Sequence, residues 1–161
     1  MASRIHKATI VWLHDIGQKG IDSTQFVRKL NLPNVKWICP VAPTRPVTSW
    51  GGIATTAWCD VTGISENMED DLVSINSITA FVFSLLLDEP QNGIGGIGLG
   101  AAVALYCATI YISGKKIRNL SFIVGINGWL PAWSSLPIRT QKFGHSSQGW
   151  ISSHVHTKPR V

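Results

Sequence analysis

Charge is scarce in this sequence: 14% of its 161 residues are Asp, Glu, Lys or Arg, against 45% apolar. That balance excludes a disordered chain and supplies enough apolar side chain for one sizeable core in a single domain. Acidic residues are missing altogether after Trp133, where Arg139, Lys142, Lys158 and Arg160 lie. Much of the formal net charge of +5 therefore sits in a basic C-terminal stretch. The other basic residues are scattered and no basic run alternates with aromatics, which argues against a nucleic-acid partner. Cysteines are few and widely spaced (Cys39, Cys59, Cys107), with no C-x-x-C pair. They read as buried free thiols in a reducing compartment. No apolar run is long enough to span a bilayer, and the first residues lack the apolar core of a signal peptide. Both point to a cytoplasmic protein without a transmembrane segment.

What is present alternates between strand and helix signals. Ala8 to Leu13 is a short β-branched and apolar run, the pattern of a strand buried on both faces. A polar loop from His14 to Gly20 follows at the end of that strand where α/β sheets carry their sites. Asp22 or Ser23 is expected to cap a helix over Thr24–Leu30, with Phe26, Val27 and Leu30 inward. Val35–Cys39 reads as a strand ended by Pro40. The three prolines and paired glycines between Pro40 and Trp58 read as a long irregular loop, in which Trp50 and Trp58 pack. Glu66, Glu69, Asp70 and Asp71 precede a helical apolar period from Leu72 to about Leu87 and serve its N-terminus. Pro90, Asn92 and Gly93 read as a break before a very short strand. Leu99–Ile112 is a helix of small and apolar residues, and Leu120–Ile126 a further buried strand. The order implies an α/β fold, a mostly parallel sheet with helices on both faces. Residues 134–161 have little periodicity and read as a divergent, loosely ordered tail.

The stretch Gly95 to Ala102 joins a strand to a helix through Gly96-Ile97-Gly98-Leu99-Gly100. A sharp turn of this pattern is the nucleophile elbow, whose central residue is ordinarily a serine. Here it is Gly98, which tolerates the strained backbone and carries no oxygen.

Several further segments agree, in order, with one family. His14 in Trp-Leu-His-Asp-Ile-Gly, the proline-bounded Ile38–Thr48, Ala57-Trp58-Cys59-Asp60-Val61, Gly95–Ala102 and Ile126-Asn127-Gly128-Trp129-Leu130-Pro131 resemble the acyl-protein thioesterase/carboxylesterase family of α/β-hydrolases, in its plant-like branch. The agreement runs from about Ala8 to Trp133, so residues 1–133 are expected to form an incomplete, truncated α/β-hydrolase domain. The resemblance implies hydrolysis of fatty-acyl thioesters or esters, palmitoyl groups on proteins included, by a Ser-His-Asp triad without a cofactor or metal. It places the oxyanion-hole N–H groups on Ile16 and Leu99 and the loop and elbow positions on His14, Gly96 and Gly100.

Three positions depart from the family pattern. Gly98 stands at the nucleophile, Asp15 replaces the glycine after the loop histidine, and Gln18 replaces the loop aspartate. A carboxylate at Asp15 would lie close to a developing oxyanion and repel it. The segment carrying the triad Asp and His is expected to be missing after Trp133. Gly144–Gly149, a G-x-S-x-x-G, is one residue too long for an elbow, and His154 with His156 lacks a third metal ligand. His14 is expected to order its loop. The sequence thus predicts a hydrolase fold with lost or greatly reduced activity, a pseudoenzyme. The alternatives are a non-catalytic binder of acylated proteins or lipid, with an acyl groove around Pro40–Trp58 and the elbow, or a module that self-associates through the edge strand 120–126.

Overall fold

The computed structural model describes residues 6–63, 69–89, 91–114 and 120–132. Glu66, Trp133 and the tail residues 134–161, with their serine and histidine motifs, lie outside them.

Strand β1 (Ala8–Leu13) is central, with helix α1 (Gly20–Lys29) and strand β2 (Val35–Ile38) after it. A hairpin of β3 (Thr44–Val47) and β4 (Ile53–Thr56) comes next, then helix α2 (Leu72–Ser84), strand β5 (Asn92–Ile97), helix α3 (Leu99–Ile112) and strand β6 (Leu120–Ile126). The main sheet has the order β2-β1-β5-β6, parallel throughout. Helices α2 and α3 cover one face, where Val11, Leu13, Ile94 and Ile123 join Val82, Leu99 and Val103 in the core. Helix α1 lies on the other, where Phe26 stacks on Trp12 at 5.0 Å between ring centres.

Four sequence expectations are corrected. Helix α1 starts four residues early, at Gly20, because the Asp22 carboxylate reaches back to accept the Lys19 N–H at 2.7 Å. Asp22 thus serves from inside the first turn, and Leu30 faces solvent while Ser23 and Val27 are buried. The Pro40–Trp58 segment is not irregular: it folds into the β3–β4 hairpin, with Thr44 opposite Thr56 and Val47 opposite Ile53. Pro46 is accommodated because the hairpin is a separate two-stranded sheet, where a missing N–H costs little. Within it Trp58 is buried, whereas Trp50 is half exposed. Helix α2 ends at Ser84, giving way to turns.

The fourth correction concerns β5, which is six residues long and begins at Asn92. Buried Asn92 donates from Nδ2 to the Leu86 carbonyl at 3.2 Å, closing the turn after α2. A glycine-rich segment can be a central strand here because its neighbours supply the bulk. A Cβ on Gly93 would lie 2.2 Å from the Phe122 ring, and one on Gly95 2.6 Å from the Trp12 ring. Thr9 and Lys36 both bind the Glu89 carboxylate, which ties β1 and β2 to the entry of β5.

Candidate active site

The turn between β5 and α3 is strained. Gly98 has φ 56° and ψ −117°, a conformation that disfavours any residue with a Cβ. Its N–H donates to the Ile126 carbonyl at 2.9 Å, and its carbonyl accepts the Ala102 N–H at 3.1 Å, opening α3. Gly96 and Gly100 let the helix sit directly on the strand ends. A Cβ on Gly96 would fall 2.4 Å from the Gly100 backbone, and one on Gly100 2.3 Å from the Leu13 carbonyl oxygen.

The facing loop leaves the end of β1. His14 is buried: its Nε2 accepts the Ala42 N–H at 3.0 Å, so Nδ1 carries the proton and donates to the Asp15 carbonyl at 2.6 Å. Trp58 donates from its indole to the His14 carbonyl at 2.8 Å and packs against the imidazole. Both ring nitrogens are thus committed to holding the loop, and neither is presented to a substrate. Gln18 Oε1 accepts the Asp15 N–H at 3.0 Å. Gly17 N–H and the Gln18 carbonyl bond Thr56, fastening the loop to β4.

Between the two turns lies the Asp15 carboxylate. Its Oδ1 accepts the Ile16 N–H at 2.7 Å and the Leu99 N–H at 2.8 Å. These two backbone donors, one from the loop and one from the first turn of α3, converge on a single negative oxygen, as they would on an oxyanion. The same carboxylate fills the space beside the elbow: a Cβ at position 98 would lie 2.0 Å from Asp15 Oδ1 and 2.3 Å from Oδ2. The sequence pointed to Asp15 as a nearby repulsive charge; in the structure it is the occupant of the donor pair.

The acidic residues before α2 separate into distinct tasks. Asp71 caps α2, its Oδ1 accepting the Ser74 N–H at 3.1 Å and its Oδ2 the Asp60 N–H at 3.1 Å. Asp71 has its pKa lowered: burial, which acts to raise it, is outweighed by hydrogen bonds from Ser74 and the Asp60 amide and by the Arg45 guanidinium. Asp60 is also lowered, chiefly by hydrogen bonds from the Thr48 hydroxyl and amide. Asp70, which sequence reasoning assigned only to the helix terminus, accepts the Trp129 indole N–H at 3.3 Å and the Ala132 N–H at 2.7 Å. A polar acceptor 59 residues upstream of Trp129 carries no sequence signal for that contact. Burial pushes the Cys59 and Cys107 thiols up to about 12, and raises that of half-buried Cys39. None is an activated nucleophile. Among the described residues no cluster of His, Cys, Asp and Glu could hold a metal ion, and no helix is long and apolar enough to cross a membrane.

A parallel sheet flanked by helices, with a strained strand–turn–helix at the carboxyl end of a central strand and a donor pair beside it, defines an α/β-hydrolase-like fold. The Phospholipase/Carboxylesterase family model matches residues 1–157, and the chain belongs to that family. It is 30% identical over 140 residues to acyl-protein thioesterase 1 homolog 2 of Dictyostelium discoideum, covering 80% of this chain and 61% of that protein. It is also 30% identical over 141 residues to acyl-protein thioesterase 1 of Schizosaccharomyces pombe, covering 82% and 60%. The crystal structure of Zea mays acyl-protein thioesterase 2 superimposes with a TM-score of 0.79 at 46% identity, covering 85% of this chain and 63% of that one. The chain thus spans about three-fifths of the length of these relatives. The fold is shared with Arabidopsis thaliana SOBER1 (TM-score 0.67). The family match continues to residue 157, past Trp133, where the resemblance was expected to end.

Proposed function

We propose that this chain is a catalytically silent acyl-protein thioesterase homologue that acts in the cytoplasm by binding rather than by turnover. The observation that carries the reading is the elbow itself. Hydrolysis of an acyl thioester by this family's chemistry needs a nucleophilic oxygen at the elbow and two free N–H donors for the tetrahedral oxyanion. Position 98 has no side chain, and the Ile16 and Leu99 donors are engaged by Asp15. Loss of a triad serine alone costs on the order of 10⁶ in turnover. Intact-mass analysis after fluorophosphonate treatment, alongside a palmitoyl-thioester assay, tests this. Unmodified protein and no turnover above the solvent rate are expected; a stoichiometric adduct on any serine, or turnover abolished by that adduct, overturns the reading.

A second reading is that the binding surface is apolar. A groove of about 300 Å³ lies on the α1 face of the sheet, lined by Trp12, Phe26, Leu30, Trp37, Phe122 and Val124. It reaches Ile126, whose carbonyl accepts the Gly98 N–H. An acyl groove was expected around Pro40–Trp58 and the elbow; this one adjoins the elbow through Ile126 and takes no lining residue from Pro40–Trp58. An acylated protein or lipid would be held there by burial of its chain. Self-association through β6, one of the two edge strands of the main sheet among the described residues, is the competing use of the same side. Saturable binding of a palmitoylated peptide, lost in Val124→Asp, supports the acyl reading. A dimer in sedimentation, dissociated by the same substitution, supports the other.

A further inference from the structure

The three positions that depart from the family pattern are not independent. Gln18 Oε1 accepts the Asp15 N–H, the Asp15 carboxylate takes both converging donors, and the side-chain space of residue 98 is where that carboxylate lies. We infer that Gln18, Asp15 and Gly98 form one interlocked plug, an autoinhibitory contact in which Asp15 occupies the oxyanion position and residue 98 can carry a side chain only if Asp15 withdraws. The inference deepens the reading of a silent elbow and rests on it for its functional meaning.

The pose of Asp15 is set from several sides. Its N–H is held by Gln18, its carbonyl by His14 Nδ1, and its Oδ1 by Ile16 and Leu99. His14 in turn is fixed by the Ala42 N–H and the Trp58 contact. The carboxylate is therefore aimed by a packed loop rather than left as a free rotamer. It also faces the first turn of a 14-residue helix, where negative charge is favourable. Asp15 is a positioning residue here: it cross-links the β1 loop to α3 and gives the two amides the anion that a reacting substrate would otherwise supply. The plug implies that restoring a serine at position 98 alone cannot rebuild a working elbow, because its Cβ meets the carboxylate before its hydroxyl meets anything.

A double-mutant cycle reads this without any appeal to activity. Gly98→Ala, Asp15→Gly and the double variant are compared by urea unfolding of the full chain. Gly98→Ala is expected to lower the unfolding midpoint strongly with Asp15 present, and by less than half as much in the Asp15→Gly background, where only the positive-φ strain is left. Equal losses in the two backgrounds overturn the plug. Amide hydrogen exchange of Asp15→Gly and Asp15→Asn provides the second arm should Gly98→Ala fail to fold. Asn retains an Oδ1 acceptor, so the Ile16 and Leu99 amides should stay protected in Asp15→Asn and exchange at least tenfold faster in Asp15→Gly. Wild-type exchange at both amides in Asp15→Gly overturns the inference. Turnover by the unmodified chain would sink the silent-enzyme reading and leave the cycle intact; an additive cycle would sink the plug and leave that reading standing.

Discussion

The two faces of the main sheet are built from the same four strands and solved in opposite ways. Toward α2 and α3 the surface is closed: small residues bring α3 onto β5 and β6, and Leu13, Ile94, Val103 and Ala104 are fully buried. Toward α1 the aromatics Trp12, Trp37 and Phe122 line an open groove, and Leu30, Leu32 and Ile126 are 42–47% exposed at its rim. Close packing through backbone contact is intolerant of added atoms, whereas an aromatic surface with empty space in front of it yields. The candidate site sits at the junction, its elbow seated on the closed face and its neighbour Ile126 on the open one.

The comparison can be broken most directly at Gly100. Gly100→Ala drives a Cβ into the Leu13 and His14 carbonyls, and a loss of about 3 kcal/mol or more, or failure to fold, is expected in urea unfolding. A wild-type midpoint would mean that α3 is not seated on β1. Next in size is the contrast between Leu13→Ala, on the closed face, and Phe122→Ala, half-buried on the open one. The first should cost about 2–5 kcal/mol and the second about 1–2 kcal/mol; equal costs would show that something covers the groove in solution.

The smallest effect is one of pH. Asp60 and Asp71, beside and at the cap of α2, have pKa values lowered in the folded state. Their contribution to stability is present above the unfolded carboxylate pKa of about 3.9 and is lost as pH falls through the lower folded values. Stability should therefore decline below about pH 4, and Asp71→Asn should flatten that acid limb while leaving the groove untouched. An unchanged limb in the variant would place the acid sensitivity elsewhere.

The parts legible in the sequence are those whose signal is local. The apolar runs of β1 and β6 and the small-residue run of α3 announce themselves, and α3 has the bounds expected of it. Strand β5 was expected, but as a very short one; its full length was hidden because glycine has no strand preference of its own, and Trp12 and Phe122, from other strands, supply the bulk. The β3–β4 hairpin was hidden by Pro46 and Gly51-Gly52, which read as loop until a partner strand is known. The elbow was legible from the spacing of its small residues, and Asp15 from its neighbour His14. That one oxygen of Asp15 would take two amides 83 residues apart (16 to 99) requires the loop and α3 to meet, and no local pattern encodes that meeting.

The contact between Asp15 and Gly98 also sets an order for any redesign of the elbow. In the pose seen, a residue with a Cβ at 98 has no room beside this carboxylate. A substitution at 98 made first meets Asp15, whereas a substitution to glycine at 15 made first opens the space. The two positions behave as a lock that opens from one side.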